Sequence, residues 1–84
     1  MIYACLIVGD EMIKFTIYKD GTNGPYVLSA NRGLYKIGQA CNLANKKWQW
    51  VHGIGCLGVW ITRNKQIAEK MASGLNIKIE YLQR

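Results

Sequence analysis

Along Met12–Lys19 the apolar Ile13, Phe15 and Ile17 alternate with Lys14, Thr16 and Tyr18. A period of two puts successive side chains on opposite sides of an extended chain, so this run predicts a half-buried strand. Ile2–Val8 is apolar and rich in β-branched and aromatic residues, and Gly9-Asp10-Glu11 separates it from the next run. The two runs together read as an N-terminal β-hairpin. Asp20-Gly21-Thr22-Asn23-Gly24-Pro25 is dense in turn-forming residues, because glycine reaches positive φ freely and proline fixes its own φ. Tyr26–Ala30 then gives a third strand.

The period changes after Asn31. Leu34, Ile37, Cys41 and Ala44 are spaced three, four and three apart, which aligns them on one helix face. The preferred reading is a helix over Asn31–Lys47 with Asn31 as its cap. The competing reading makes Asn31-Arg32-Gly33 a hairpin loop, Leu34–Ile37 a strand, and the helix shorter. Trp48–Val51 and Leu57–Thr62 are strands joined through Gly53-Ile54-Gly55. Ile67, Ala68, Met71, Ala72 and Leu75 form the apolar stripe of a second helix, capped by Thr62 or Asn64 and stopped at Gly74. Ile77, Ile79 and Tyr81 alternate with Lys78 and Glu80 in a closing strand.

The element order is therefore β-β-β-α-β-β-α-β, within one α+β domain covering residues 1–84. Such an order predicts a mainly antiparallel sheet with two helices on one face. From Tyr26 onward, β-α-β-β-α-β is the ferredoxin-like order.

Composition sharpens the picture in one respect. Half of the 84 residues are hydrophobic and 19% are charged, which suits a single core and no disordered region. The formal charge is +6, and its distribution is uneven. Asp10, Glu11 and Asp20 hold most of the acid near the start. Between Arg32 and Lys70 stand Arg32, Lys36, Lys46, Lys47, Arg63, Lys65 and Lys70, opposed by Glu69 alone. A surface of one sign attracts polyanions and speeds their arrival. The first apolar run is shorter than a signal peptide or a membrane helix requires, so the expected location is the cytoplasm, with no membrane partner.

Catalytic chemistry finds little material. Cys5, Cys41 and Cys56 include no C-x-x-C pair, and an odd count argues against a disulfide framework. All three are expected to be inert core thiols, with no metal and no cofactor. Cys56 and His52 are near in sequence, but no acid or amide stands out to orient the histidine. An enzyme built on that pair ranks last, and the protein is expected not to be an enzyme. Gly53-Ile54-Gly55-Cys56-Leu57-Gly58 spells G-x-G-x-x-G, yet a β-favouring stretch follows where a dinucleotide site needs a helix. A tight hairpin explains these glycines better.

Lys46-Lys47-Trp48-Gln49-Trp50-Val51-His52 carries the strongest functional signal. In a strand, Trp48, Trp50 and His52 share one face and Gln49 and Val51 the other. Planar rings beside two lysines suit unpaired bases and their phosphates. The same alternation also fits tryptophans turned inward, and Trp60, between Val59 and Ile61, is assigned to the core. Arg32 and Lys36 open the first helix, and Arg63 and Lys65 the second, so the expected phosphate contacts are Arg32, Lys36, Lys46, Lys47, Arg63 and Lys65. Expected base contacts are Trp48, Trp50 and His52.

Residues 57–82 resemble the closing β-α-β of an RNA recognition motif. Leu57-Gly58-Val59-Trp60-Ile61 stands at its glycine- and aromatic-rich strand, and Ala68, Met71 and Leu75 at its second helix. The family's basic and aromatic strand positions fall on Gly55, Leu57 and Val59, so none of its binding residues carries over. In size and charge the chain also resembles the small accessory proteins of bacteriophages, some of which counter host defences by binding RNA or a defence enzyme. The expected partner is nucleic acid, RNA favoured, bound by a homodimer. The alternative is an inhibitor docked on an acidic host protein surface.

Overall fold

The computed structural model describes residues 11–30, 34–53 and 58–84. Its sheet has five strands in the order β3-β4-β2-β1-β5. They are β1 (Met12–Ile17), β2 (Asn23–Ser29), β3 (Gln49–His52), β4 (Gly58–Thr62) and β5 (Ile79–Gln83). Two α-helices, α1 (Leu34–Ala40) and α2 (Lys65–Leu75), and a 3-10 turn at Leu43–Lys46 complete the described chain. The architecture is α+β. Every strand pair is antiparallel except β1 with β5, which is parallel.

Register explains how the core forms. Ile13 stands opposite Leu28 and Ile79, Phe15 opposite Tyr26 and Tyr81, and Leu28 opposite Trp60. Alternation then carries Ile13, Tyr26, Leu28, Trp60 and Thr62 onto one face, where all are buried. Ile37 and Cys41 from α1 and Ala68, Met71, Ala72 and Leu75 from α2 join them in one cluster. Both helices therefore cover the same face of the sheet.

β1 is flanked by β2 on one side and β5 on the other over nearly its whole length; Ile2–Val8, the other arm of the expected N-terminal hairpin, lies outside the described residues. A hairpin joins β1 to β2 through Tyr18–Thr22, where Tyr18 N–H donates to Thr22 O and Gly21 N–H to Tyr18 O. Gly21 sits at φ 89°, a conformation open to glycine at no steric cost. A ferredoxin-like unit pairs its first and last strands directly; here β1 stands between β2 and β5. β5 keeps its direction, antiparallel to β2, but is displaced outward by one strand.

Pro25, expected in the turn, belongs to β2. A proline has no N–H for the ladder, and it falls where the β1–β2 register shifts between Phe15 and Ile17 and before pairing with β4 begins at Tyr26. The long helix expected to Lys47 is interrupted. Asn42 adopts φ 56°, ψ 45°, and Lys47 φ 71°, ψ 22°, and left-handed residues cannot continue a right-handed helix. For α2 the cap is Asn64, whose Oδ1 accepts from Ile67 N–H at 3.2 Å. Its stop is Asn76 at φ 55°, one residue past Leu75, so Gly74 lies within the helix. Asparagine tolerates the left-handed region because its short amide bonds locally.

Cys41 corrects the expectation of three free thiols. It is buried and disulfide-bonded; Cys5 and Cys56 lie outside the described residues.

Burial of Tyr26, with lesser contributions from Tyr81 and Glu69, pushes its phenol above the ordinary 10.0. The neutral form is thus favoured in the folded state. This stabilisation is fully present below pH 10, and is lost as the pH rises from there through the raised value. Chemical denaturation between pH 9 and 12 is expected to show the wild type losing stability faster than Tyr26→Phe, a comparison that equal slopes would refute.

Candidate functional site

Three sequence neighbours meet different fates in space. Trp48 is 3% exposed and belongs to the core cluster. Trp50 is half-buried, and His52, at the end of β3, is exposed. The inward reading of the tryptophan face is therefore the right one for Trp48, which corrects its assignment as a base contact. Gln49 and Val51, on the other face, are exposed. Trp60 is buried, as expected.

Trp50 is the hub of an aromatic group. Its ring centroid lies 5.0 Å from Tyr35, 5.3 Å from Trp60 and 6.0 Å from His52, each at a steep interplanar angle. Edge-to-face packing of this kind sets the positive ring edge against a neighbour's negative face. Tyr35 also lies nearly parallel to Trp60, at 6.4 Å and 16°, although it is itself 50% exposed. Two glycines make the packing possible. A Cβ on Gly58 would fall 2.4 Å from Trp50 Cζ2, and one on Gly38 1.9 Å from Trp60 Cε2.

These rings surround an open pocket of about 600 Å³, lined by Tyr35, Ala44, Trp48, Trp50, His52 and Trp60 together with Gln49. No carboxylate is among these lining residues. The indole N–H groups of Trp48 and Trp50 are buried and have no hydrogen-bond partner among the described residues. A buried donor left unpaired costs about 1–3 kcal/mol, so the wall of this pocket is held together by ring packing against that cost.

Register also sorts the cations. Gln49 pairs with Ile61, so Lys47, two residues before Gln49, and Arg63, two after Ile61, lie at the same end of the sheet. Lys65 opens α2 at that end. Lys46 sits beside Lys47, and its Nζ donates to the carbonyl of Cys41, which closes the turn after α1. Lys47, Arg63 and Lys65 are exposed. Of the predicted phosphate contacts, these four come together. Lys36 does not: it lies in the first turn of α1, which follows β2 at the opposite end, near His52. Arg32 lies outside the described residues.

Three residues escaped the sequence reading. Ile17 pairs with both Asn23 and Gln83, which brings the β1–β2 turn and the end of β5 to the same end as Lys47 and Arg63. Lys19 N–H donates to Arg84 O at 2.6 Å, and Arg84 N–H to Ile17 O at 2.9 Å, so both basic residues join that end. Tyr35 is the third. Alternation cannot place a helix side chain against a strand 15 residues later. The one acid in the turn, Asp20, is held below the usual carboxylate range by hydrogen bonds from the hydroxyl and then the backbone N–H of Thr22.

The glycine hairpin is supported where it is described. Gly53 follows β3 and Gly58 opens β4, its antiparallel neighbour, so no helix begins at Gly58; residues 54–57 lie outside the described set. Among the described residues no three His, Cys, Asp or Glu side chains are grouped to hold a metal ion. No helix there is long and apolar enough to cross a membrane.

The fold and the site together define a small mixed-sheet α+β protein with an aromatic pocket on its edge strand and a basic sheet end beside it. Compared with protein-family models, curated proteins and solved structures, the chain finds no significant match in any of the three.

Proposed function

We propose that this protein binds single-stranded nucleic acid, RNA in preference to DNA, and works by binding rather than by catalysis. One observation carries the reading: strand register gathers Lys47, Arg63, Lys65, Lys19 and Arg84 at one end of the sheet. Five strands spaced ~4.8 Å apart make that end ~19 Å wide, a row of cations against which a phosphate chain lies. The open pocket stands at its β3 side, where unstacked bases meet exposed ring surface. A duplex offers no such bases, which is why single strands are favoured.

A homodimer and a cytoplasmic location belong to the same reading. Among the described strands β3 and β5 stand at the edges of the sheet, and pairing of either with a second copy would satisfy its outward backbone groups. Disulfides ordinarily persist in oxidising compartments, so the bridge at Cys41 gives the location a direct check. Thiol labelling of denatured protein from freshly lysed cells, with and without prior reduction, makes that check: a bridge that survives would place the protein outside a reducing cytoplasm.

The decisive measurement is binding of the purified protein to short single-stranded RNA, matched DNA and duplex at several salt concentrations. The expected result is a linear fall of log affinity with log salt and an order RNA, DNA, duplex from tightest to weakest. Salt-independent binding, or capture of an acidic protein with no affinity for any nucleic acid, would overturn the proposal.

A further inference from the structure

We infer that the pocket behind β3 takes one nucleobase, turned out of the bound strand and stacked on Tyr35 and Trp50, with its phosphate held at Lys47. This rests on the nucleic-acid reading and assigns a separate task to a residue outside the basic sheet end. Tyr35 is half exposed although its ring lies across both Trp50 and Trp60. A ring so placed offers solvent one flat face, backed by aromatic packing that fixes its angle. Trp50 and His52 stand at a steep angle to one another at 6.0 Å, forming the other wall.

Charge decides what occupies the pocket. Aromatic walls suit either a flat ring or a cation. A cation is disfavoured here, since no acid is among the lining residues and the chain carries +6. An anion-bearing flat ring fits both facts. At about 600 Å³ the pocket is of the size that commonly encloses a small ligand, and it holds a single base with room to enter. Stacking is tolerant of base identity because every base has a π-face, and the inference is of one base of any kind.

The test uses single-stranded RNA of about ten nucleotides and a strand of the same length with every base removed. Loss of the bases is expected to weaken binding about 10-fold, with loss of the quenching of tryptophan fluorescence. Tyr35→Ala is expected to shrink that difference while the salt slope stays as in the wild type. A fully abasic strand that binds as tightly as the intact one would overturn this inference alone, leaving the phosphate reading in place. Absence of any binding to the intact strand would remove both.

Discussion

Gly38→Ala is expected to destabilise the fold by about 3 kcal/mol or more, the upper range for overpacking a core. In an exposed helix the same change stabilises by about 1 kcal/mol, because alanine loses less backbone entropy. Here the added carbon would lie 1.9 Å from Cε2, 2.0 Å from Nε1 and 2.2 Å from Cζ2 of Trp60, whereas carbon atoms rest at about 3.5–4.0 Å. The ring has nowhere to go. Trp60 is 5% exposed, with Tyr35 and Trp50 against it and Leu28 opposite on β2. Either α1 lifts from β4 or the indole leaves its rotamer. A domain this small has only about 4–13 kcal/mol of total stability, so thermal unfolding should begin at least about 12 °C lower. Gly24→Ala is the control: its Cβ would meet Thr16 Cβ at an ordinary 3.6 Å. Pairing Gly38→Ala with Trp60→Leu should cost less than the sum of the two single changes. Full additivity would show that the clash is not the cause.

Reversing two charges, Lys47→Glu with Arg63→Glu, is expected to have the largest effect on binding. Each phosphate contact on a single strand contributes about 0.7 to the slope of log affinity against log salt. Two lost contacts should lower the slope by about 1.4, and at 0.1 M salt reduce affinity by about 25-fold. Both side chains are exposed, so stability should change by no more than about 0.5 kcal/mol, and the loss would not reflect unfolding. Lys78→Glu, just before β5 at the opposite end of the sheet, should leave the slope unchanged. A slope that responds equally to both substitutions would mean that phosphate is met all around the molecule, and the basic sheet end would lose its role.

The pocket and the sheet end depend on the chain in different ways. Lys46–His52 was recognisable from its composition alone: cations beside rings in a strand pattern. The alternation also put Trp48, Trp50 and His52 on a common face, which register confirms, since Trp50 stands opposite Trp60 and His52 opposite Gly58. What alternation could not decide is which face looks inward. The answer follows from α1, which packs over β4 on the tryptophan side, where Trp48 joins the core while His52, at the end of β3, stays exposed. Tyr35 was invisible for a related reason. Its place against Trp50 depends on the path of the chain between β2 and β3.

Local signals determined the element types, because period, caps and turn residues act within a few positions of themselves. Ile13–Phe15–Ile17, the stripe Ala68–Met71–Ala72–Leu75 and the Asn64 cap are of this kind, and so are two helices on one face of an α+β sheet. Tertiary structure alone decided strand neighbours. β1 enters between β2 and β5 because a strand with apolar residues on the helix-covered face gains most in the middle of a sheet, where both its edges are paired. That insertion carries Lys19 and Arg84 to the end already holding Lys47 and Arg63. Cations far apart in sequence thus share one boundary of the sheet, an outcome set by hydrogen-bond register between strands and by no property of any one of them.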